Sequence, residues 1–183
     1  MRVGVFCSAN SGLDPQFYKA ADAFGQGLAR RGWEMIYGGA TVGLMGRFAD
    51  SCVANKAVVR GALTRGLAAS REMPHEHLTE LVIVEDLFDR KRWMNDHSDA
   101  FAIFPGGLGT LDEALEVITW KSLGYHDKPI VFVNLGGFWH SQLEAFRDLE
   151  SRGVIRKGGL DLYQVADDLE GLWSILDGKS SVR

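Results

Sequence analysis

Short apolar runs alternate with longer stretches of helical period along most of the chain. The runs RVGVFC (2–7), EMIYG (34–38), AVVRGAL (57–63), ELVIVE (80–85), AFAIF (100–104) and PIVFVN (129–134) predict strands. Several are apolar at successive positions rather than at every second one. That predicts burial on both faces, as in a parallel sheet. Between the runs, the spacing predicts helices over 15–31, 44–56, 86–98, 109–123 and 138–152, with a last helix near 167–177. The stretch 64–79, TRGLAASREMPHEHLT, fits neither period and reads as a loop with a short helix. Such alternation predicts an α/β fold: a Rossmann-like, doubly wound, mainly parallel sheet with right-handed crossovers. No linker or repeat interrupts it, so residues 1–178 read as a single domain. KSSVR at 179–183 reads as a flexible tail.

Composition narrows the class. The 183 residues are 46% hydrophobic and 24% charged, with a formal net charge of −4. That suits one full core, excludes general disorder and argues against a nucleic-acid partner. The first ten residues, MRVGVFCSAN, carry no secretory pattern. No run approaches the roughly 20 apolar residues of a membrane span, so no membrane partner and a cytoplasmic location are expected. Cys7 and Cys52 have neither disulfide nor metal spacing and read as small core residues. The five histidines, at 75, 77, 97, 126 and 140, lack ligand spacing, so no metal is expected. Asp96, His97, Ser98 and Asp99 lie within one turn and cannot form a triad by adjacency. Trp120 and Trp139 read as core or interface residues.

Chemistry gathers where strands end in small residues. Three predicted strands run into CSANSG (7–12), YGGATVGLMG (37–46) and FPGGLGT (104–110). Ligands of open parallel sheets bind beyond the carboxyl ends of the strands. A glycine turn followed by a helix N-terminus presents backbone N–H groups to an anion, typically a phosphate. None of the three turns is a standard signature: GK[ST] is absent, and so is GxGxxG. Any one glycine turn could be structural; three at one sheet edge point to a site.

Two charged residues stand beside these turns. Thr110–Glu113 matches a capping box, in which Thr110 caps a helix and Glu113 reaches back to its N–H. Yet the apolar face of that helix is Leu111, Ala114, Leu115 and Ile118, which leaves Glu113 off that face, where a side chain can point into a cleft. The spacing does not choose between the two. Arg90 is four residues after Asp86, which suits a surface ion pair. It also shares a helix side with Leu87 and Met94 and follows the fourth strand, which brings it near the same rim.

YGGATVGLMG (37–46), DRKRWM (89–94), SDAFAIFPGGLGTLDE (98–113) and VITWKSLGYHDKPI (117–130) together resemble the Lonely Guy (LOG) family of cytokinin riboside 5′-monophosphate phosphoribohydrolases. The resemblance covers most of residues 2–155. It implies that Arg90 and Glu113 are catalytic. It implies that Gly106, Gly107, Gly109 and Thr110 bind phosphate, and that Gly38, Gly39, Lys91, Met94 and Ser8 lie around the nucleotide. Arg71 matches the family's second arginine. The chain departs from the family pattern in LFDRK, where a MHERK-like run is usual, and in Ala40, where YGGG is commoner. These changes bear on the base or sugar.

The implied reaction is hydrolysis of the N-glycosidic bond of a purine-type nucleoside 5′-monophosphate, such as a cytokinin riboside monophosphate or AMP. It needs no cofactor, and the resemblance implies a homodimer. A nucleotide or molybdenum-cofactor carrier is the alternative, because such carriers share the PGGxGT turn.

Overall fold

The structure, a computed structural model, describes residues 1–70 and 74–178, with Ser70 described by its backbone alone. Arg71, expected at the second-arginine position, and the expected tail at 179–183 lie outside the described residues.

Seven strands form one sheet in the order β4-β3-β2-β1-β5-β6-β7, and every neighbouring pair is parallel. They are β1 (Arg2–Phe6), β2 (Glu34–Tyr37), β3 (Val58–Thr64), β4 (Glu80–Val84), β5 (Ala100–Ile103), β6 (Ile130–Val133) and β7 (Gln164–Ala166). The first six match the apolar runs. The seventh carries no such signal: it is three residues long, and only Ala166 is buried. The helices are α1 (Pro15–Arg31), α2 (Gly43–Ala54), α3 (Arg65–Ser70), α4 (Leu87–His97), α5 (Leu108–Ser122), α6 (His140–Ser151) and α7 (Leu169–Leu176). The short helix expected within 64–79 is α3.

Alternation along the buried strands divides the core in two. Ala100, Ala102 and Phe104 face the layer of α1, α2 and α7, with Phe24, Phe48 and Trp173. Phe101 and Ile103 face the layer of α4, α5 and α6, with Met94, Val117 and Phe146. Strands buried on both sides need apolar residues at every position, hence the unbroken runs. On the first face Phe48 and Phe104 approach to 4.4 Å between ring centroids, with Phe24 edge-on to each.

The order of strands fixes where a ligand can bind. From β1 the chain steps outward through β2 and β3 to β4, then returns to β5 on the other side of β1. That reversal opens a crevice beyond the carboxyl ends of β1 and β5. Across it, the Ser8 N–H donates to the Pro105 carbonyl at 3.1 Å.

Candidate active site

Helix starts differ in this chain in a way that bears on chemistry. Asp14, Asp86 and Asp168 cap α1, α4 and α7, each accepting a backbone N–H in the first turn. At α5, as at α2 and α6, no side chain caps the start, and its N-cap is Gly107. The first helical bond there is from the Leu111 N–H to the Gly107 carbonyl at 3.0 Å. The N–H groups of Leu108, Gly109 and Thr110 precede it and point out of the helix start. The capping-box reading of Thr110 and Glu113 therefore fails: the helix begins two residues before Thr110, which sits inside its first turn. Thr110 is 3% exposed and packs on Gly106, where a Cβ would lie 2.1 Å from the Thr110 Oγ1. Gly106 is thus a packing glycine. Gly107 and Gly109 are different, since a Cβ at either would meet nothing within 4 Å. Protein packing does not require glycine there; the missing side chains leave the cavity floor bare.

A cavity of about 300 Å³ opens at this turn, bounded by the β1 loop, the start of α2, α4 and the first turns of α5. Glu113, Arg90, Lys91, Ser8, Gly107, Gly109 and Thr110 all line it. Burial pushes the Cys7 thiol pKa well up, and the Glu113 carboxylate pushes it the same way. Glu113 thus lies within electrostatic reach of the cavity floor. Ser8 ties three elements together. Its N–H reaches Pro105, its carbonyl accepts the Met45 N–H at 3.2 Å, and its Oγ accepts the Asn10 N–H at 3.0 Å.

Arg90 is 8% exposed, which rules out the surface ion-pair reading. Arg90 and Met94 are the buried residues of α4, one turn apart on one stripe. The helix starts at the carboxyl edge of the sheet, so the earlier residue reaches the rim and the later one the core. The Arg90 Nε donates to the Ala62 carbonyl and its Nη2 to the Gly38 carbonyl, each at 3.1 Å. A Cβ on Gly38 would lie 1.7 Å from that Nη2. Gly38 therefore serves the site through Arg90 rather than by lining the cavity. Gly39 turns at φ +80° beside it.

Met94 is 1% exposed and belongs to the core cluster with Phe6, Phe101 and Ile103. It seats α4, and the structure does not bring it to the cavity as the resemblance implies. Lys91 does line the cavity, yet its ammonium is held by Asp112 at 3.1 Å and Glu116 at 2.8 Å. Burial opposes the charge, but the bonds to Glu116 and Asp112 win and raise the lysine's pKa. Lys91 thereby locks α4 to α5.

Sequence reasoning missed seven of the lining residues, Asn10, Met45, Leu87, Leu108 and Asp112 among them. Asn10 stood in the CSANSG turn already singled out. Leu87 and Leu108 offered a signal only in hindsight, as apolar residues at helix starts. Among the described residues, no group of three or more His, Cys, Asp or Glu side chains is placed to hold a metal ion. No helix among them is long and apolar enough to cross a membrane.

Comparison with known proteins meets this geometry. A family model described as "possible lysine decarboxylase" matches residues 45–176. The cytokinin riboside 5′-monophosphate phosphoribohydrolase of Rhodococcoides fascians is 36% identical over 169 residues, covering 92% of this chain and 85% of that protein. One from Arabidopsis thaliana is 39% identical over 176 residues, covering 96% of this chain and 82% of its own length.

The chain belongs to this family, the LOG family.

Solved structures share the LOG-family fold at lower identity. A molybdenum cofactor carrier protein of Chlamydomonas reinhardtii superposes with a TM-score of 0.72 at 18% identity, covering 97% of this chain and 95% of that one. The molybdenum cofactor binding protein of Rippkaea orientalis gives 0.69 at 19%, covering 97% of this chain and 96% of that one. At such identity the likeness extends to the fold alone. The PGGLGT turn and the DRKRWM run of this LOG-family chain meet in one cavity, although 10 residues separate Met94 from Pro105.

Proposed function

We propose that the protein hydrolyses the N-glycosidic bond of a purine-type nucleoside 5′-monophosphate, releasing the free base and ribose 5-phosphate. The observation that carries this is the meeting of a carboxylate, Glu113, and a buried guanidinium, Arg90, beside a bare helix start in one cavity. Relatives named for this reaction, similar over most of the chain, support it. We also propose residues 1–178 as one nucleotide-binding domain and the cytoplasm as its location.

The phosphate would sit on the N–H groups of Leu108, Gly109 and Thr110, where the helix dipole favours an anion. That anchor sets the sugar over Glu113, a turn further along α5. Positive charge develops at C1′ as the bond to the base nitrogen breaks and its electron pair leaves with the base. The Glu113 carboxylate stabilises that charge. It then takes a proton from the water whose oxygen adds to C1′. Arg90 donates hydrogen bonds to the sugar or the departing base, and a proton reaching the base nitrogen completes the balance. Remote anchoring by phosphate makes binding energy available at the reacting bond. A carrier has no need of the Glu113–Arg90 combination, and the likeness to the molybdenum-cofactor proteins, at 18–19% identity, speaks for the fold and not for their role.

Gly107→Ala tests the anchor. Its methyl would enter open space, so the variant should fold and melt as the parent does. Occupying the phosphate position should raise KM by about tenfold or more, which is about 1.4 kcal/mol. An unchanged KM would move the phosphate elsewhere. Base preference is read by comparing release of adenine from AMP with release of isopentenyladenine from its riboside monophosphate. Faster release from the prenylated nucleotide supports cytokinin activation; equal or faster release from AMP marks a general nucleosidase.

A homodimer is proposed with the activity. Phe88 is 71% exposed and Leu108 87%, beside Leu87 at the cavity mouth. Large apolar side chains gathered at one rim suit a partner. Light scattering should give a dimer for the parent and a monomer for Phe88→Glu. A monomeric parent would refute this.

A further inference from the structure

The segment after α3 touches the turn that holds Arg90, and no motif accounts for it. The His75 N–H donates to the Gly39 carbonyl at 3.1 Å, and Pro74 forms an antiparallel bridge with Ala40. Beneath the turn lies β3: a Cβ on Gly61 would stand 2.6 Å from the Gly39 Cα and 3.1 Å from the Leu78 Cδ1. The turn 38–40 is thus clamped between β3 and the 74–78 segment. Its first carbonyl, on Gly38, receives the Arg90 Nη2.

The His75 side chain fastens that clamp. The side chain is 3% exposed. Its Nδ1 accepts the His77 N–H at 3.2 Å, so the proton of the neutral ring belongs on Nε2. That nitrogen donates to Asp50 Oδ1 on α2 at 3.1 Å. The imidazole therefore joins α2 to the 74–77 segment and can do so in one tautomer only. Asp50 itself is largely exposed, so its role is to hold the ring rather than to fill the core.

We propose that His75 is a positioning residue for Arg90, acting through the Gly38–Gly39–Ala40 turn. This rests on the hydrolase reading, in which Arg90 touches the substrate. The ring sets the His75 backbone, the His75 N–H fixes the Gly39 peptide, and the neighbouring Gly38 carbonyl aims the guanidinium. A misplacement of about 1 Å at a catalytic group costs on the order of 100-fold in rate. The phosphate turn at Gly107 stands on β5 and α5 and is not part of this clamp.

The test separates these effects. His75→Ala should lower kcat by about tenfold or more, while inhibition by ribose 5-phosphate stays within about twofold, since only the Arg90 side of the site is loosened. His75→Gln can still donate from its Nε2 to Asp50 and should recover part of the loss. Asp50→Ala removes an exposed carboxylate without opening the core and should reproduce a smaller kcat loss, even if His75→Ala fails to fold. Amide exchange across 38–41 should quicken in each impaired variant. Unchanged kcat in both His75→Ala and Asp50→Ala would overturn the proposal. So would a parallel loss of kcat and ribose 5-phosphate binding, which marks general loosening. A parent that releases no base from any nucleotide would instead sink the hydrolase reading, and the exchange measurement would still report on the clamp.

Discussion

Glu113→Gln is expected to lower kcat by about 10³-fold, within the range for losing a general base. The substitution keeps the shape of the side chain and removes its charge. What is lost is the carboxylate that faces the positive sugar carbon in the transition state and accepts the proton of the attacking water. The phosphate anchor at Gly107–Thr110 is untouched, so ribose 5-phosphate should bind as tightly as to the parent by calorimetry. kcat and kcat/KM should then fall together, the signature of an interaction made only in the transition state. Stability should change little, because the N-cap of α5 is Gly107 and Glu113 does not cap that helix. Near-normal turnover in this variant would remove Glu113 from the chemistry.

Gly38→Ala should be nearly as damaging, although it adds one methyl group away from the cavity lining. The added Cβ would fall 1.7 Å from the Arg90 Nη2. The guanidinium must move, and its bonds to the Gly38 and Ala62 carbonyls cannot both survive. Hydrogen bonds to a charged donor are worth about 1.5–3 kcal/mol each. One lost bond should lower Tm by roughly 4–10 °C for a chain of this length. Displacing the guanidinium by about 1 Å should lower kcat/KM by on the order of 100-fold. A thermal scan and steady-state kinetics on the same sample check both effects. Parent-like values in each would mean that Arg90 can be held in another way.

The residues that were legible in sequence are those whose signal is local. β1 to β6 announced themselves because a strand buried on both faces must be apolar throughout. β7 did not, since two of its three residues are exposed and pairing with β6 alone makes it a strand. Glycine turns at the ends of β1, β2 and β5 located the ligand edge. The capping-box pattern sits three residues past the real N-cap, Gly107, because α5 begins without a side-chain cap and local pattern looks for one. Arg90 was the least legible. Its burial depends on the absent Cβ of Gly38, 52 positions earlier, and on the Ala62 carbonyl across the sheet edge. Without that contact an arginine four residues after an aspartate reads as a surface pair. Met94 and Lys91 belong to the same motif, yet the structure gives them to the core and to the α4–α5 lock. Residues of one motif can therefore serve the scaffold that carries its proposed catalytic members.

In the proposed reaction this cavity breaks the bond between base and sugar rather than storing a nucleotide. The most direct measurement is a product balance: incubate the purified protein with a purine nucleoside 5′-monophosphate and quantify free base and ribose 5-phosphate. Hydrolysis should give equal amounts of the two, appearing over many turnovers. Recovery of intact, bound nucleotide with no free base would contradict it.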